Sequence, residues 1–169
     1  MTLPSAIMHV LAMMALLCNL SLAPVEPILP EPMPAAMTAG AVLDVPAEDL
    51  EMLACVIYQE AGGDACSDEC RIDVGDVVLT RVLDPRFPNT LEGVLTAPGQ
   101  YGRFSTTGIV WPERAKHPGE KHAVERAYEI ARQLLSGNHG DLWGQGYVWQ
   151  AEFEQGSEGF WLDGMYFGR

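Results

Sequence analysis

The residue with the clearest chemical potential is Glu60, in the segment "ACVIYQEAGG" at residues 54–63. It follows the apolar residues 55–58 in a helical pattern and stands just before two glycines. A carboxylate in the last turn of a helix opposes the helix dipole. At the edge of an apolar face, under a loop, it would be desolvated and would keep its proton toward neutral pH. The segment predicts a proton donor, against the simpler interpretation of a solvated helix-terminal residue.

Other reactive side chains give weaker patterns. The segment "CSDEC" (66–70) has three residues between its cysteines and no second cluster nearby, which disfavours a zinc site. Ser105 lacks the glycine-flanked turn of a serine nucleophile. None of the histidines has the spacing of metal ligands; they are His9, His117, His122 and His139. The sequence therefore predicts neither a metal nor a cofactor.

The cysteines leave two redox states open. Cys18 lies in the N-terminal apolar segment, so Cys55, Cys66 and Cys70 remain for the body of the protein. An odd number cannot pair completely within one chain. A Cys66–Cys70 or Cys55–Cys70 disulfide is compatible with export, and buried free thiols are equally compatible with the pattern.

The charge balance limits the class of partner. The chain has 169 residues with 23 acidic and 10 basic side chains, a formal net charge of -13. A nucleic-acid binder would carry a basic patch, and an acidic protein is not steered toward anionic polymers. Hydrophobic residues make up 48% of the chain, which suffices for one domain with an appendage.

The N-terminal part divides into two segments. Residues 1–23 are apolar, and the run over 10–18 has the length of a signal-peptide core but is short for a membrane span. No Lys or Arg precedes Arg71. We interpret this segment as an export signal or membrane anchor, which predicts an exported, wall-located or membrane-tethered protein. The alternative is a disordered apolar tail. Residues 24–45 are proline-rich and predict a semi-rigid linker.

Residues 46–169 predict one mainly helical domain with strands toward its C-terminus. Apolar spacing, the N-cap residues Ser67 and Thr90, and the glycines after Ala61 and Ser136 set the helix bounds. The predicted elements are helices over 46–61, 67–84, 90–95 and 120–136, a long loop over 96–118, and short strands within 143–167.

Three segments together resemble a known family. "LACVIYQEAGGD" (53–64), "VGDVVLTRVLDPRFPNTLEGVLTAPGQY" (74–101) and "VWQAEFEQGS" (148–157) are similar to the cell-wall hydrolase family of the spore cortex-lytic enzyme catalytic domain, the SleB/CwlJ type. The resemblance covers roughly residues 50–168. It implies a lysozyme-like α+β fold, with 46–169 as the catalytic domain, and cleavage of the glycan strand of peptidoglycan by a muramidase or lytic transglycosylase.

The resemblance also implies the role of Glu60, which matches the family's single essential glutamate. Glu60 would protonate the leaving oxygen and then accept a proton from the sugar's own C6 hydroxyl, giving a 1,6-anhydro product. A two-carboxylate mechanism would require another acid, for which Asp64 and Glu152 are the candidates. Asp64 in the glycine turn and Glu152 in a possible strand both have simpler interpretations as solvated residues.

Several polar and aromatic residues near these motifs are candidates for binding sugar. Trp149 would stack on a ring, although core packing is the commoner fate of aromatic residues. The residues expected to bind sugar hydroxyls are Tyr58, Gln100, Tyr101 and Gln150. Two other functions stay open at this stage. One is a non-catalytic wall-binding or phage structural module on the same fold. The other is a wall amidase or peptidase, which would need a zinc or cysteine–histidine site.

Overall fold

The computed structural model describes residues 45–102 and 104–169. Its elements are α1 (Ala47–Ala61), α2 (Asp68–Leu83), α3 (Leu91–Thr96), α4 (Phe104–Thr107), 3₁₀ turns at Glu113–Lys116 and Pro118–Glu120, α5 (Lys121–Leu135), β1 (Trp149–Ala151), β2 (Gly159–Leu162) and β3 (Met165–Gly168). The predicted export segment, and the linker up to residue 44, lie outside the described residues. Across 45–102 and 104–169 no helix has the length and apolar character needed to cross a membrane.

Helix α1 ends where the sequence predicts, but the reason for the glycine differs from the expected one. Gly62 has φ -75°, which any residue adopts, so no left-handed turn requires it. A Cβ at Gly62 would lie 2.2 Å from the Tyr58 carbonyl oxygen and 2.9 Å from Tyr58 Cδ2. Gly62 is therefore needed for close packing against Tyr58, whose side chain is fully buried.

Helix α2 begins at the predicted N-cap, because Ser67 Oγ accepts a hydrogen bond from the Cys70 backbone N–H at 3.2 Å. Its glycine allows a close approach to α5, since a Cβ at Gly75 would lie 2.2 Å from Leu134 Cδ1. The helix also buries polar side chains that apolar spacing does not predict: Asp73, Asp76 and Arg81.

The segment predicted as a long loop is partly ordered into helix. Thr90 caps α3 as expected, accepting from the Gly93 N–H at 3.1 Å. Within 96–118, however, α4 and a 3₁₀ turn interrupt the loop, and Phe104 at the start of α4 is buried in the core. Burial of this one aromatic side chain fixes a helical turn that local sequence preference does not predict.

The C-terminal tail forms a three-stranded antiparallel sheet in the order β1-β3-β2. Phe167 on the central strand is fully buried and packs into the same core as α1, α2 and α5. The mainly helical α+β architecture predicted from the sequence is confirmed. The core holds the C-terminal end of α1 next to the loop around Tyr101, since a Cβ at Gly102 would lie 3.3 Å from Gln59 Nε2.

Candidate active site

Glu60 lies in the last turn of α1, half-buried, at the edge of the apolar face as predicted. Gln59 Nε2 donates to Glu60 Oε1 at 3.3 Å. Burial raises the pKa of Glu60 above its ordinary value, and the charge of Glu152 raises it further. The Gln59 hydrogen bond and the charges of Arg81 and Arg114 oppose this rise. The carboxyl therefore holds its proton to a higher pH than a free glutamate while its ionised form still has stabilising neighbours.

Arg114 compensates for a carboxylate at a helix C-terminus. Its Nη2 donates to the backbone oxygens of Tyr58 at 3.4 Å and Gln59 at 3.3 Å. The guanidinium also lies 5.0 Å from the centre of the Tyr58 ring. A cation on the last carbonyls of a helix is favourable for the dipole. Arg114 was not predicted, because it lies in the segment read as loop and no local pattern links it to α1.

Tyr58 faces the core rather than the Glu60 carboxyl. Its side chain is fully buried, and its hydroxyl donates to Glu120 Oε2 at 2.8 Å. Burial and this bond raise the pKa of Tyr58. The hydroxyl expected to contact sugar thus has a protein partner, and it joins α1 to the 3₁₀ turn before α5.

Arg81 is the main residue of this region that sequence reasoning missed. It is 3% exposed, and its guanidinium carbon lies 5.3, 5.0 and 5.9 Å from the ring centres of Phe87, Tyr101 and Trp149. Its Nη1 is buried without a hydrogen-bond partner in the described part of the chain. A signal existed: Arg81 follows the buried Val77 by four residues, so helical spacing places it on the core face.

Tyr101 and Trp149 both pack against Arg81, and the charge of Arg81 acts on Glu60. Tyr101 is 2% exposed, and among the described residues its hydroxyl has no hydrogen-bond partner. Burial raises its pKa; the negative charge of Glu60 adds to this, and Arg81 opposes it. The turn after Tyr101 passes against α1, since a Cβ at Gly102 would lie 3.3 Å from Gln59 Nε2. Two of the five predicted binding residues therefore cluster with Glu60.

Gln150 and Gln100 are placed differently. Gln150 lies opposite the buried Phe167 in the β1–β3 pairing, so it faces the core side of the sheet, away from Trp149. Both polar atoms of its amide are buried and find no partner within 45–102 and 104–169. Gln100 is half-buried in the turn after α3, where its N–H donates to the Ala97 carbonyl at 3.2 Å.

The two candidate second carboxylates differ in their relation to Glu60. Glu152 is exposed, yet its charge acts on Glu60 and raises the pKa of that residue. Asp64 is exposed in the turn after α1 and borders a cavity of about 250 Å³ with Arg71 and Arg126. Glu152 is thus the acid with an electrostatic influence on the site.

A separate buried acidic group lies on α2. Asp76 accepts from the Gly140 N–H at 2.8 Å and contacts His139 Nδ1 at 2.7 Å, and His139 stacks on Trp143. Asp73 borders a cavity of about 450 Å³. Burial, with the neighbouring acids, raises the pKa of Asp73 to about 7. In the parts of the chain that the structure describes, no three His, Cys, Asp or Glu side chains are grouped to hold a metal ion.

Comparison with known protein families matches the larger part of the chain. Residues 67–161 match the family described as Cell Wall Hydrolase. Neither the curated proteins nor the solved structures include a match to this chain. The matched range contains Arg81, Tyr101 and Trp149 and begins seven residues after Glu60. It spans more than half of the sequence, so the chain belongs to the cell wall hydrolase family.

Proposed function

We propose that this cell wall hydrolase cuts the glycan strand of peptidoglycan as a lytic transglycosylase, with Glu60 as its single acid and base. The observation that carries the proposal is the half-buried Glu60 carboxyl, whose pKa burial raises, beside the charges of Arg81 and Arg114. A general acid works best when its pKa lies near the operating pH. The family match supports peptidoglycan as the substrate.

The chemistry needs two proton transfers, both made by the Glu60 carboxyl. Glu60 donates its proton to the glycosidic oxygen as the C1–O bond breaks. The resulting carboxylate then takes the proton of the C6 hydroxyl on the same sugar, whose oxygen bonds to C1 and closes the 1,6-anhydro ring. Glu60 ends protonated, and no water is consumed. The positive charges of Arg81 and Arg114 stabilise the carboxylate between the two steps.

The surroundings of Asp64 and Glu152 support a one-carboxylate mechanism. Both are exposed, the ordinary setting of solvated surface carboxylates, whereas Glu60 is half-buried. Trp149, which is partly exposed, lies beside Arg81 and supplies aromatic surface for a sugar ring, with the buried Tyr101 packed against the same guanidinium. In this proposal the side chain of Gln100, in the turn after α3, binds a sugar hydroxyl.

The products test the outcome of the reaction. Purified murein is digested in H₂¹⁸O, and the released sugar ends are examined by mass spectrometry. We expect 1,6-anhydro ends without ¹⁸O. Reducing ends that carry ¹⁸O would contradict the transglycosylase step and favour hydrolysis by the same glutamate. No new sugar ends at all, with the protein still bound to murein, would favour the non-catalytic binding module.

We also propose that the protein acts outside the cytoplasmic membrane, exported or tethered by its N-terminal segment. The support is the apolar character of residues 1–23 and the proline-rich stretch that follows. Cell fractionation followed by blotting tests this. Recovery of the full-length chain in the soluble cytoplasmic fraction would contradict it.

A further inference from the structure

One face of the C-terminal sheet carries three aromatic rings, of which the middle one, Tyr166, is only 8% exposed. In the strand pairing Trp161 lies opposite Tyr166, and both Trp149 and Gly159 lie opposite Gly168. Residues paired in this way point to the same side of a sheet. We call Trp149, Tyr166 and Trp161 the aromatic strip. The other face, with Phe160 and Phe167, packs into the core.

Glycines make the surface beside the strip flat. A Cβ at Gly159 would lie 2.5 Å from Tyr166 Cζ, and one at Gly168 would lie 3.1 Å from Tyr166 Cε1. A Cβ at Gly156 would lie 2.8 Å from Trp149 Cδ1. The Tyr166 and Trp149 rings therefore lie directly against backbone. A side chain at any of these three positions would displace a ring.

The outer end of the strip is exposed to solvent. Trp161 is 49% exposed and meets Tyr166 edge-on, with ring centres 5.4 Å apart. Phe153, in the turn between β1 and β2, is 65% exposed. Large aromatic side chains grouped on a protein surface mark a binding site more often than scattered ones do.

The inner end of the strip reaches the candidate active site. The Trp149 ring lies 5.9 Å from the Arg81 guanidinium carbon, and the charge of Arg81 acts on Glu60. The strip therefore starts beside Arg81 and extends across the sheet to Trp161. The accessible rings of the strip are those at its two ends, the partly exposed Trp149 and Trp161.

The rim of the strip is acidic. Trp161 Nε1 donates to Glu154 Oε1 at 3.4 Å, and Glu152 and Glu154 are exposed. Carboxylates accept hydrogen bonds from hydroxyl groups and repel anionic polymers. Aromatic faces bordered by such acceptors suit an uncharged, hydroxyl-rich polymer whose rings present apolar C–H faces.

We propose that the aromatic strip is an extended binding site for the glycan chain, holding sugar rings beyond those next to Glu60. The proposal rests on the proposed function, because it takes the same glycan as ligand. Sugar rings stack on Trp161 and Trp149, and their hydroxyls donate to Glu152 and Glu154. The strip lengthens the contact with the chain without taking part in bond cleavage.

Binding of soluble oligosaccharides tests the strip apart from catalysis. The probes are β-1,4-linked N-acetylglucosamine oligomers of four and eight sugars, titrated by calorimetry against the full-length protein carrying Glu60→Gln. Adding Trp161→Ala should weaken octamer binding about three- to tenfold, the scale of one aromatic contact, and leave tetramer binding unchanged. Trp161→Phe keeps a ring and should recover most of the octamer affinity.

Leu83→Ala is the matched control, since Leu83 is 59% exposed but lies at the end of α2, outside the sheet. It should bind both oligomers as the parent does. Equal octamer affinity for Trp161→Ala and its parent, with unchanged melting temperature, would overturn the proposal. So would a change from dimer to monomer on Trp161→Ala, which would identify the strip as a contact between copies of the chain. If Glu60→Gln keeps full lytic activity, the proposed function fails whatever the binding result.

Discussion

Arg81 Nε donates to the Val148 carbonyl oxygen at 2.7 Å, which joins two residues 67 positions apart in the sequence. This buried hydrogen bond attaches the end of α2 to the start of β1. It thereby fixes Trp149, the next residue, beside the Arg81 guanidinium and the Tyr101 ring. One arginine thus sets both the packing and the local charge of the candidate active site.

Replacing Arg81 should affect stability and pH dependence separately. Arg81→Met leaves the Val148 oxygen buried without its donor and should lower the free energy of unfolding by about 1.5–3 kcal/mol, measured by urea denaturation. It also removes a positive charge that lowers the pKa of Glu60, so the alkaline limb of kcat/KM should move to higher pH. Arg81→Lys keeps the charge and should move that limb less. A destabilised Arg81→Met with an unmoved limb would contradict the electrostatic role.

Glu60→Gln should abolish most lytic activity and preserve the fold. The amide keeps the size of the side chain but has no transferable proton, and general acid catalysis is worth about 10²- to 10⁴-fold. Turnover of purified murein should drop on that scale while binding to murein persists. The melting temperature should hold or rise, because a carboxyl that is costly to ionise is replaced by a neutral group.

Asp64→Asn and Glu152→Gln are the matched controls for Glu60→Gln. In a one-carboxylate mechanism both should keep activity within about tenfold of the parent, below the range expected for a lost general acid. A loss at Glu152 as large as that at Glu60 would point to a second catalytic acid.

Asp73 should make the protein less stable as the pH rises. Its pKa is about 7 in the folded state against 3.8 as the ordinary value, so the folded chain binds more protons between these two pH values. The free energy of unfolding therefore falls as the pH rises from about 4 to about 7. The carboxyl faces the charges of Asp76, Glu69 and Asp141, all of which oppose its ionisation.

Thermal melts of Asp73→Asn at pH 5 and pH 8 measure this dependence. The variant should lose less stability than the parent between the two pH values, because the neutral amide does not ionise. Asp64→Asn, a change in an exposed turn, serves as the control and should behave as the parent does. An identical pH response of Asp73→Asn and the parent would show that Asp73 ionises without cost.

The cysteines should differ in their reactivity. Cys55 and Cys70 are buried thiols, and Cys66 is half-buried. Burial, with the neighbouring Cys66, raises the pKa of Cys70 to about 12, which suppresses its reactive thiolate. Iodoacetamide should label Cys66 in the native protein, and Cys55 and Cys70 only after unfolding, as read by peptide mass mapping. Protection of both Cys66 and Cys70 after unfolding without reductant would instead indicate a Cys66–Cys70 disulfide.

The starts of α2 and α3, the end of α1 and the position of Glu60 follow from the sequence. Ser67 and Thr90 cap their helices through bonds to residues three positions away, and α1 ends at its glycines. Such features depend on groups a few residues apart, so the local sequence suffices to predict them. The same holds for Glu60 at the edge of an apolar helical face, which periodicity alone indicates.

The environment of Glu60 was decided by the tertiary structure. Arg81, Arg114 and Tyr101 approach the end of α1 from three other segments. They are far from Glu60 in the sequence, so no local pattern predicts that they lie near it. The fate of Tyr58 was decided in the same way, since its hydroxyl bonds to Glu120, 62 residues away. Burial and electrostatic interaction depend on which segments pack together, and a local pattern carries no information on that. The sequence by itself thus identified the carboxyl and indicated a raised pKa, and only the packed core determined the neighbours that act on it.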